Sequence, residues 1–140
     1  MKVIIPVAGI GTRLRPHTHT APKALLYVAG KPLLGHILDS IKDLEFEEVT
    51  FVIGFMGEKI IDYVNQNYDF KSRFVEQKEL LGLGHAINLG LDKDEEDEIL
   101  AVLGDTIVEM NWDGIIGKGK NFLGVRQVDD PRRFGVAEVD

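Results

Sequence analysis

Between Val7 and Lys23 the chain reads V-A-G-I-G-T-R-L-R-P-H-T-H-T-A-P-K, which sets a guanidinium, Arg13, and an ammonium, Lys23, ten residues apart behind two glycines. Glycines lack a Cβ and let backbone N–H groups come close to anionic oxygens, while an arginine fork matches phosphate geometry and keeps its charge at any working pH. Gly9 and Gly11 supply the close backbone beside Ala8, and Thr12 adds a hydroxyl donor. Gripping a chain of phosphates is the chemistry that suits such a loop. Two more polar groups stand where apolar runs end: Gln77 in V-E-Q-K-E-L-L-G and Asp105 in V-L-G-D-T. A carboxylate at the end of a buried strand is costly unless it faces a crevice or holds a cation.

Spacing separates the glycine loops this segment resembles. The dinucleotide fingerprint needs a third glycine where Leu14 stands, which counts against a dinucleotide-dependent oxidoreductase, and no Gly-Lys-Ser or Gly-Lys-Thr follows at P-loop distance. What remains is G-x-G-T-R-L-x-P-x-T followed by Pro22-Lys23. That pattern resembles the sugar-1-phosphate nucleotidyltransferase family, most closely its glucose-1-phosphate thymidylyltransferase and uridylyltransferase-like members. The resemblance covers essentially the whole chain. In the family the D-P-x-x-[FY]-G-V segment, here Asp130 to Val136, falls near the middle of the catalytic domain. The expectation is therefore a truncated piece: residues 1–140 as the N-terminal, nucleotide-binding part of that domain, with the C-terminal remainder absent.

The resemblance implies attack of a sugar-1-phosphate oxygen on the α-phosphorus of a nucleoside triphosphate, giving a nucleotide-sugar and pyrophosphate. dTTP or UTP with glucose-1-phosphate is the expected pair; mannose-1-phosphate guanylyl transfer and a non-catalytic nucleotide-binding or regulatory relative are the alternatives. The nucleophile is already an anion, so the lack of a Ser-His-Asp or Cys-His set is no objection. Carried over residue by residue, Arg13 would take the β and γ phosphates and Lys23 the α-phosphate with the incoming sugar phosphate. Ala8, Gly9, Gly11, Thr12, Gln77 and Gly82 would hold the nucleotide, with the Gln77 amide reading the base edge and Gly82 leaving room for the base plane. Leu103, Gly104 and Gly135 would meet the sugar, Phe134 being equally a core residue. Asp105 would hold Mg2+, and the family's second metal aspartate and sugar-phosphate lysine would lie beyond Asp140. Arg15 is equally a phosphate contact and a surface residue. His85 is given no catalytic role, and His17 and His19 have no spaced partner for zinc.

Composition agrees with that chemistry. The chain has 140 residues, 44% of them hydrophobic, enough for one domain with a real core. With no cysteine there are no disulfides or thiolate metal sites, which leaves carboxylates and histidines as the strong ligands, and a hard ion such as magnesium is expected. A net charge of −7 offers no basic face for nucleic acid, and the acidic run Asp92 to Glu98 reads as a solvated loop. No apolar run is long enough to span a bilayer and Met1-Lys2 leads straight into a short strand, so no membrane partner and a cytoplasmic setting are expected, with a homo-oligomer an allowed state.

Positioning these groups falls to alternating elements. Strands are expected over Met1 to Val7, Glu48 to Ile53, Arg73 to Gln77 and Ile99 to Leu103, with a short extended piece over Ala24 to Val28. Helical spacing of apolar residues marks Pro32 to Leu44, a segment ending near Asn67, and Gly82 to Leu91. F-L-G-V-R-Q-V and F-G-V-A-E-V look like two further strands. The fold class is α/β: a Rossmann-like, doubly wound, mainly parallel sheet with helices on both faces, in which ligands bind beyond the carboxyl ends of the strands.

Overall fold

The computed structural model describes residues 1–9, 11, 20–92, 98–133 and 135–137. Its first compact unit, Met1–Met110, holds a four-stranded parallel sheet in the order β5-β4-β1-β6. The strands are β1 (Lys2–Pro6), β4 (Glu48–Ile53), β5 (Ser72–Glu76) and β6 (Ile99–Ala101), and β2 (Tyr27–Val28) forms a separate antiparallel ribbon with β3 (Lys31–Pro32). Helices α1 (Leu33–Ile41), α2 (Gly57–Asn67) and α3 (Leu83–Gly90) connect them.

The two faces of the sheet are covered by different helices, as the glycine contacts demonstrate. A Cβ at Gly57 of α2 would meet Ile53 at 2.9 Å, and one at Gly90 of α3 would meet Ile4 at 2.7 Å. In the register Ile4 pairs with Thr50, so Ile4 and Ile53 point to opposite faces. Helix α1 shares the face of α2, since a Cβ at Gly35 would lie 2.7 Å from the Tyr63 hydroxyl. Every residue of β4 is buried, and Phe51 stacks on Phe74 with ring centroids 5.4 Å apart. This is the doubly wound α/β arrangement expected from the sequence.

Three expectations need correction. Of the segment Ala24 to Val28 only Tyr27–Val28 is a strand, while Ala24 and Leu25 lie in the 3-10 turn Lys23–Leu25, closed by hydrogen bonds from Leu25 N–H to Pro22 O and Leu26 N–H to Lys23 O at 2.9 and 3.1 Å. Pro32 ends β3 and precedes α1 in an extended conformation, ψ 146°, instead of entering the first helical turn. Finally, no strand forms among the described residues of the second unit, Asn111–Asp140, whose one regular piece is the 3-10 turn Pro131–Arg133. Alternating apolar residues make a strand only where a neighbouring edge accepts their hydrogen bonds, and Leu123 and Val125 of this segment are exposed.

Glu48 and Thr50, the polar positions of β4, belong to a charged cluster on the α3 face. Arg73 Nε donates to Thr50 Oγ1 at 3.1 Å and lies 3.3 Å from the buried Glu48 carboxylate, while its Nη1 donates to Asp92 at 2.9 Å and its Nη2 to the Gly90 carbonyl. One guanidinium thus ties β4 and β5 to the end of α3. Replacing Arg73 by Met should lower stability by about 2 to 3 kcal/mol, less than the full cost of breaking a buried pair because Lys71 stays 2.9 Å from Glu48. Urea unfolding of the variant reads this directly, and an unchanged midpoint would assign the cluster no structural weight.

Candidate functional site

The strand order decides where a ligand can enter. From β1 the chain moves to β4 and then β5 on one side, and returns on the other side at β6. Loops leaving β1 and β6 therefore part toward opposite faces and leave a crevice at the carboxyl ends of these two strands. A cavity of about 500 Å³ lies there, walled by Pro6, Val7, Gly9 and Gly11 after β1 and by Leu103, Gly104 and Asp105 after β6. Lys23, Ala24 and Leu83 complete its wall.

Gly104 shows how closely the two loops meet. A Cβ on it would lie 2.4 Å from the Pro6 carbonyl oxygen and 2.6 Å from Val7 Cγ1, so a side chain here would push the β6 exit off the β1 exit. The ladder runs one residue beyond β6, with Val102 N–H donating to Ile4 O at 3.0 Å, before the chain turns at Gly104. Behind the cavity Ala8 is buried, and Gly54 packs on it: a Cβ at Gly54 would stand 2.9 Å from Ala8 O.

Lys23 reaches the cavity because the turn after Pro22 buries Ala24 and leaves the lysine at the wall. Its ammonium donates to Asp105 Oδ2 at 2.7 Å, and Thr106 Oγ1 donates to Asp105 Oδ1 at 3.2 Å. The Lys23 ammonium holds the Asp105 carboxyl below the ordinary aspartate value, outweighing a partial burial that acts the other way. The sequence singled out both residues, yet it gave no sign that they bond to each other. One third of the Lys23 side chain and half of that of Asp105 remain exposed, so the pair contributes only about 0 to 1 kcal/mol and is easily exchanged for another partner.

Gln77 and Gly82 sit together beside the cavity rather than in its wall, Leu83 being the residue of this segment that lines it. Gln77 is 6% exposed; its backbone N–H extends the sheet by donating to Ile53 O at 2.8 Å. Its side-chain Nε2 lies 3.4 Å from Gly82 O and 3.0 Å from His85 Nδ1. Gly82 adopts φ +97°, a conformation costly for other residues, and a Cβ there would meet nothing within 4 Å. His85 is the neighbour that sequence reasoning left without a role. Gly135 is exposed in the second unit. Thr12, Arg13, Arg15, His17, His19 and Phe134 lie outside the described residues. Where description resumes, Thr20 O accepts a hydrogen bond from Lys59 Nζ of α2 at 2.5 Å, a tether the sequence did not suggest.

Residues 2–140 match the model of the Nucleotidyl transferase family. The chain belongs to this family. The Bifunctional protein GlmU of Methanococcus maripaludis strain C5 is 40% identical over 139 residues, covering 99% of this chain and 33% of that protein. The UTP--glucose-1-phosphate uridylyltransferase AglF of Haloferax volcanii is 35% identical over 145 residues, 97% of this chain and 59% of its own length. Among solved structures, HddC from Yersinia pseudotuberculosis superposes with a TM-score of 0.70 at 26% identity, covering 82% of this chain and 52% of that one. The chain thus spans a third to three fifths of the curated relatives it matches.

The donor chemistry of Asp105 suits a hard cation such as magnesium. It offers a hard carboxylate oxygen at the cavity wall, and no group of three ligating side chains forms among the described residues. Magnesium commonly takes one or two carboxylates and draws its other ligands from phosphates and water. No helix of the described residues is long and apolar enough to cross a membrane.

Because the folded Asp105 carboxyl titrates below its unfolded value of about 3.9, the ion pair is complete at neutral pH and is lost only as acid carries the pH through the lower folded value. Carboxyl-carbon NMR should place the Asp105 midpoint below that of a free aspartate, and Lys23→Met should move it upward. A midpoint unmoved by the substitution would mean that the pair is absent in solution.

Proposed function

We propose that the protein carrying this chain transfers a nucleoside monophosphate from dTTP or UTP to glucose-1-phosphate, releasing pyrophosphate, with the crevice at the β1 and β6 exits as the nucleotide site. The observation that carries this reading is the 2.7 Å Lys23–Asp105 pair beside a glycine loop at the reversal of strand order. Family membership supports the reaction class, and the uridylyltransferase name of the Haloferax volcanii relative supports a pyrimidine triphosphate with glucose-1-phosphate.

In this reading the chain's own residues serve a reaction between two anions. Backbone N–H groups around Gly9 and Gly11, with the Thr12 hydroxyl, receive phosphate oxygens, and the Arg13 fork takes the β and γ phosphates, where the leaving charge develops. Lys23 turns from Asp105 to the α-phosphate, and so stabilises the charge on phosphorus and draws in the sugar phosphate. Asp105, released by Lys23, would hold the cation accompanying the triphosphate. Bound there, magnesium would supply charge neutralisation on the phosphate oxygens. Gln77 reads the base edge beside the open space at Gly82, with Ala8 behind the base, and Leu103 and Gly104 meet the sugar. No proton needs to be abstracted, since the attacking phosphate oxygen is already ionised.

Pyrophosphate release by the full-length protein tests the proposal. With magnesium, UTP or dTTP and glucose-1-phosphate, release should depend on the sugar phosphate, and Lys23→Ala should reduce kcat roughly 100- to 1,000-fold with little loss of fold. No release from any common nucleoside triphosphate with glucose-, mannose- or N-acetylglucosamine-1-phosphate would overturn it.

A further inference from the structure

His85 stands one turn into α3 with Nδ1 3.0 Å from Gln77 Nε2, and this contact constrains which atoms Gln77 has left to offer a ligand. The Gly82 carbonyl, 3.4 Å from the same nitrogen, can only accept hydrogen bonds, and it already receives Ala86 N–H at 3.2 Å as the first carbonyl of the helix. An amide oxygen turned toward it would set two acceptors against each other. The nitrogen therefore faces Gly82, and its second hydrogen is directed at His85 Nδ1. That ring nitrogen must carry its lone pair, which leaves the imidazole proton on Nε2.

Both amide hydrogens of Gln77 are thus used inside the protein. Its Oε1 accepts no hydrogen bond, and because no buried side-chain oxygen lacks a partner among the described residues, Oε1 is reachable by solvent although the residue is only 6% exposed. We propose that the Gly82 carbonyl and His85 together hold the Gln77 amide with its oxygen outward, His85 being the positioning side chain, and that the site so selects bases that present a ring N–H at that edge. Uracil and thymine offer N3–H there, and guanine offers N1–H; cytosine offers the bare N3 acceptor, which would face Oε1 lone pair to lone pair. The inference rests on Gln77 reading the base, as proposed above. A recess of about 240 Å³ lies against His85 beside Glu76 and Leu89, space into which another side chain at position 85 can extend.

Calorimetric titration of the full-length protein with magnesium UTP and magnesium CTP tests it, using wild type, His85→Leu, His85→Gln and His85→Lys. Wild type should prefer UTP by roughly 10- to 100-fold, the cost of an unmet acceptor pair. His85→Leu removes the closer of the two holds and leaves only the 3.4 Å contact to Gly82 O, so the ratio should narrow several-fold, in part through tighter CTP binding, which a mere loss of packing would not produce. His85→Gln retains an acceptor and should restore the preference, whereas His85→Lys, which can only donate, should turn the amide and favour CTP. The nitrogen-15 spectrum of the free wild-type protein should report an unprotonated Nδ1 on His85. An undiminished UTP preference in His85→Leu, or a protonated Nδ1, would overturn the role of His85 alone. A wild type that binds neither nucleotide would overturn the site reading together with it.

Discussion

The approach of Gly104 to the Pro6 carbonyl fixes the geometry on which the rest of the site depends. β1 lies between β4 and β6, and its exit is the one place where the chain's winding reverses. For the loops on either side to share a cavity they must pass within contact of each other, and the 2.4 Å that a Cβ at position 104 would leave makes glycine the residue that permits it. With the β6 exit seated there, Asp105 falls next to Lys23, although 82 residues separate them in sequence. Below the crevice the closed core of β1 and β4, braced on the α3 face by Arg73, keeps the exits from shifting.

Charge economy at the crevice follows from that placement. Without ligand, Lys23 and Asp105 satisfy each other, and neither is left as an isolated charge at a half-buried wall. In the proposed reaction a triphosphate carrying its cation would offer each a new partner of the opposite sign: phosphate for the ammonium, metal for the carboxylate. The exchange costs little because the original pair is weak and partly exposed, and it conserves the number of ion pairs. A wholly buried pair would bind its partners too firmly to be displaced, while two unpaired charges would each carry the cost of desolvation at the wall. Under the proposal for His85, Gln77 follows the same logic, with internal acceptors taking up its donors and its oxygen left for a base.

Much of this was legible from residue types. β4 appears over Glu48–Ile53 as its apolar content requires, and the glycine loop leaves β1 as phosphate loops leave buried strands. The strand expected to reach Leu103 ends at Ala101, because the chain must turn to bring Gly104 against Pro6, a tertiary contact with no local signature. Alternation over Phe122 to Val128 describes which face of a strand would be buried, but not whether an edge is available to pair with it, and no strand forms there. Partnerships were the least legible feature. Lys23 with Asp105, Lys59 with Thr20 and Gln77 with His85 depend on how elements pack, and spacing along the chain carries no record of them.

The most direct test of the central claim, that the β1–β6 crevice receives a metal-bound nucleotide through Lys23 and Asp105, is paramagnetic NMR with manganese UTP. Amide signals of Gly9, Gly11, Ala24 and Leu103 to Asp105 should broaden first and recover when excess magnesium UTP is added, while those of Lys2 and Lys71 at the opposite end of the strands stay sharp. Broadening centred on that opposite end, or spread along the surface without the crevice residues leading, would contradict it.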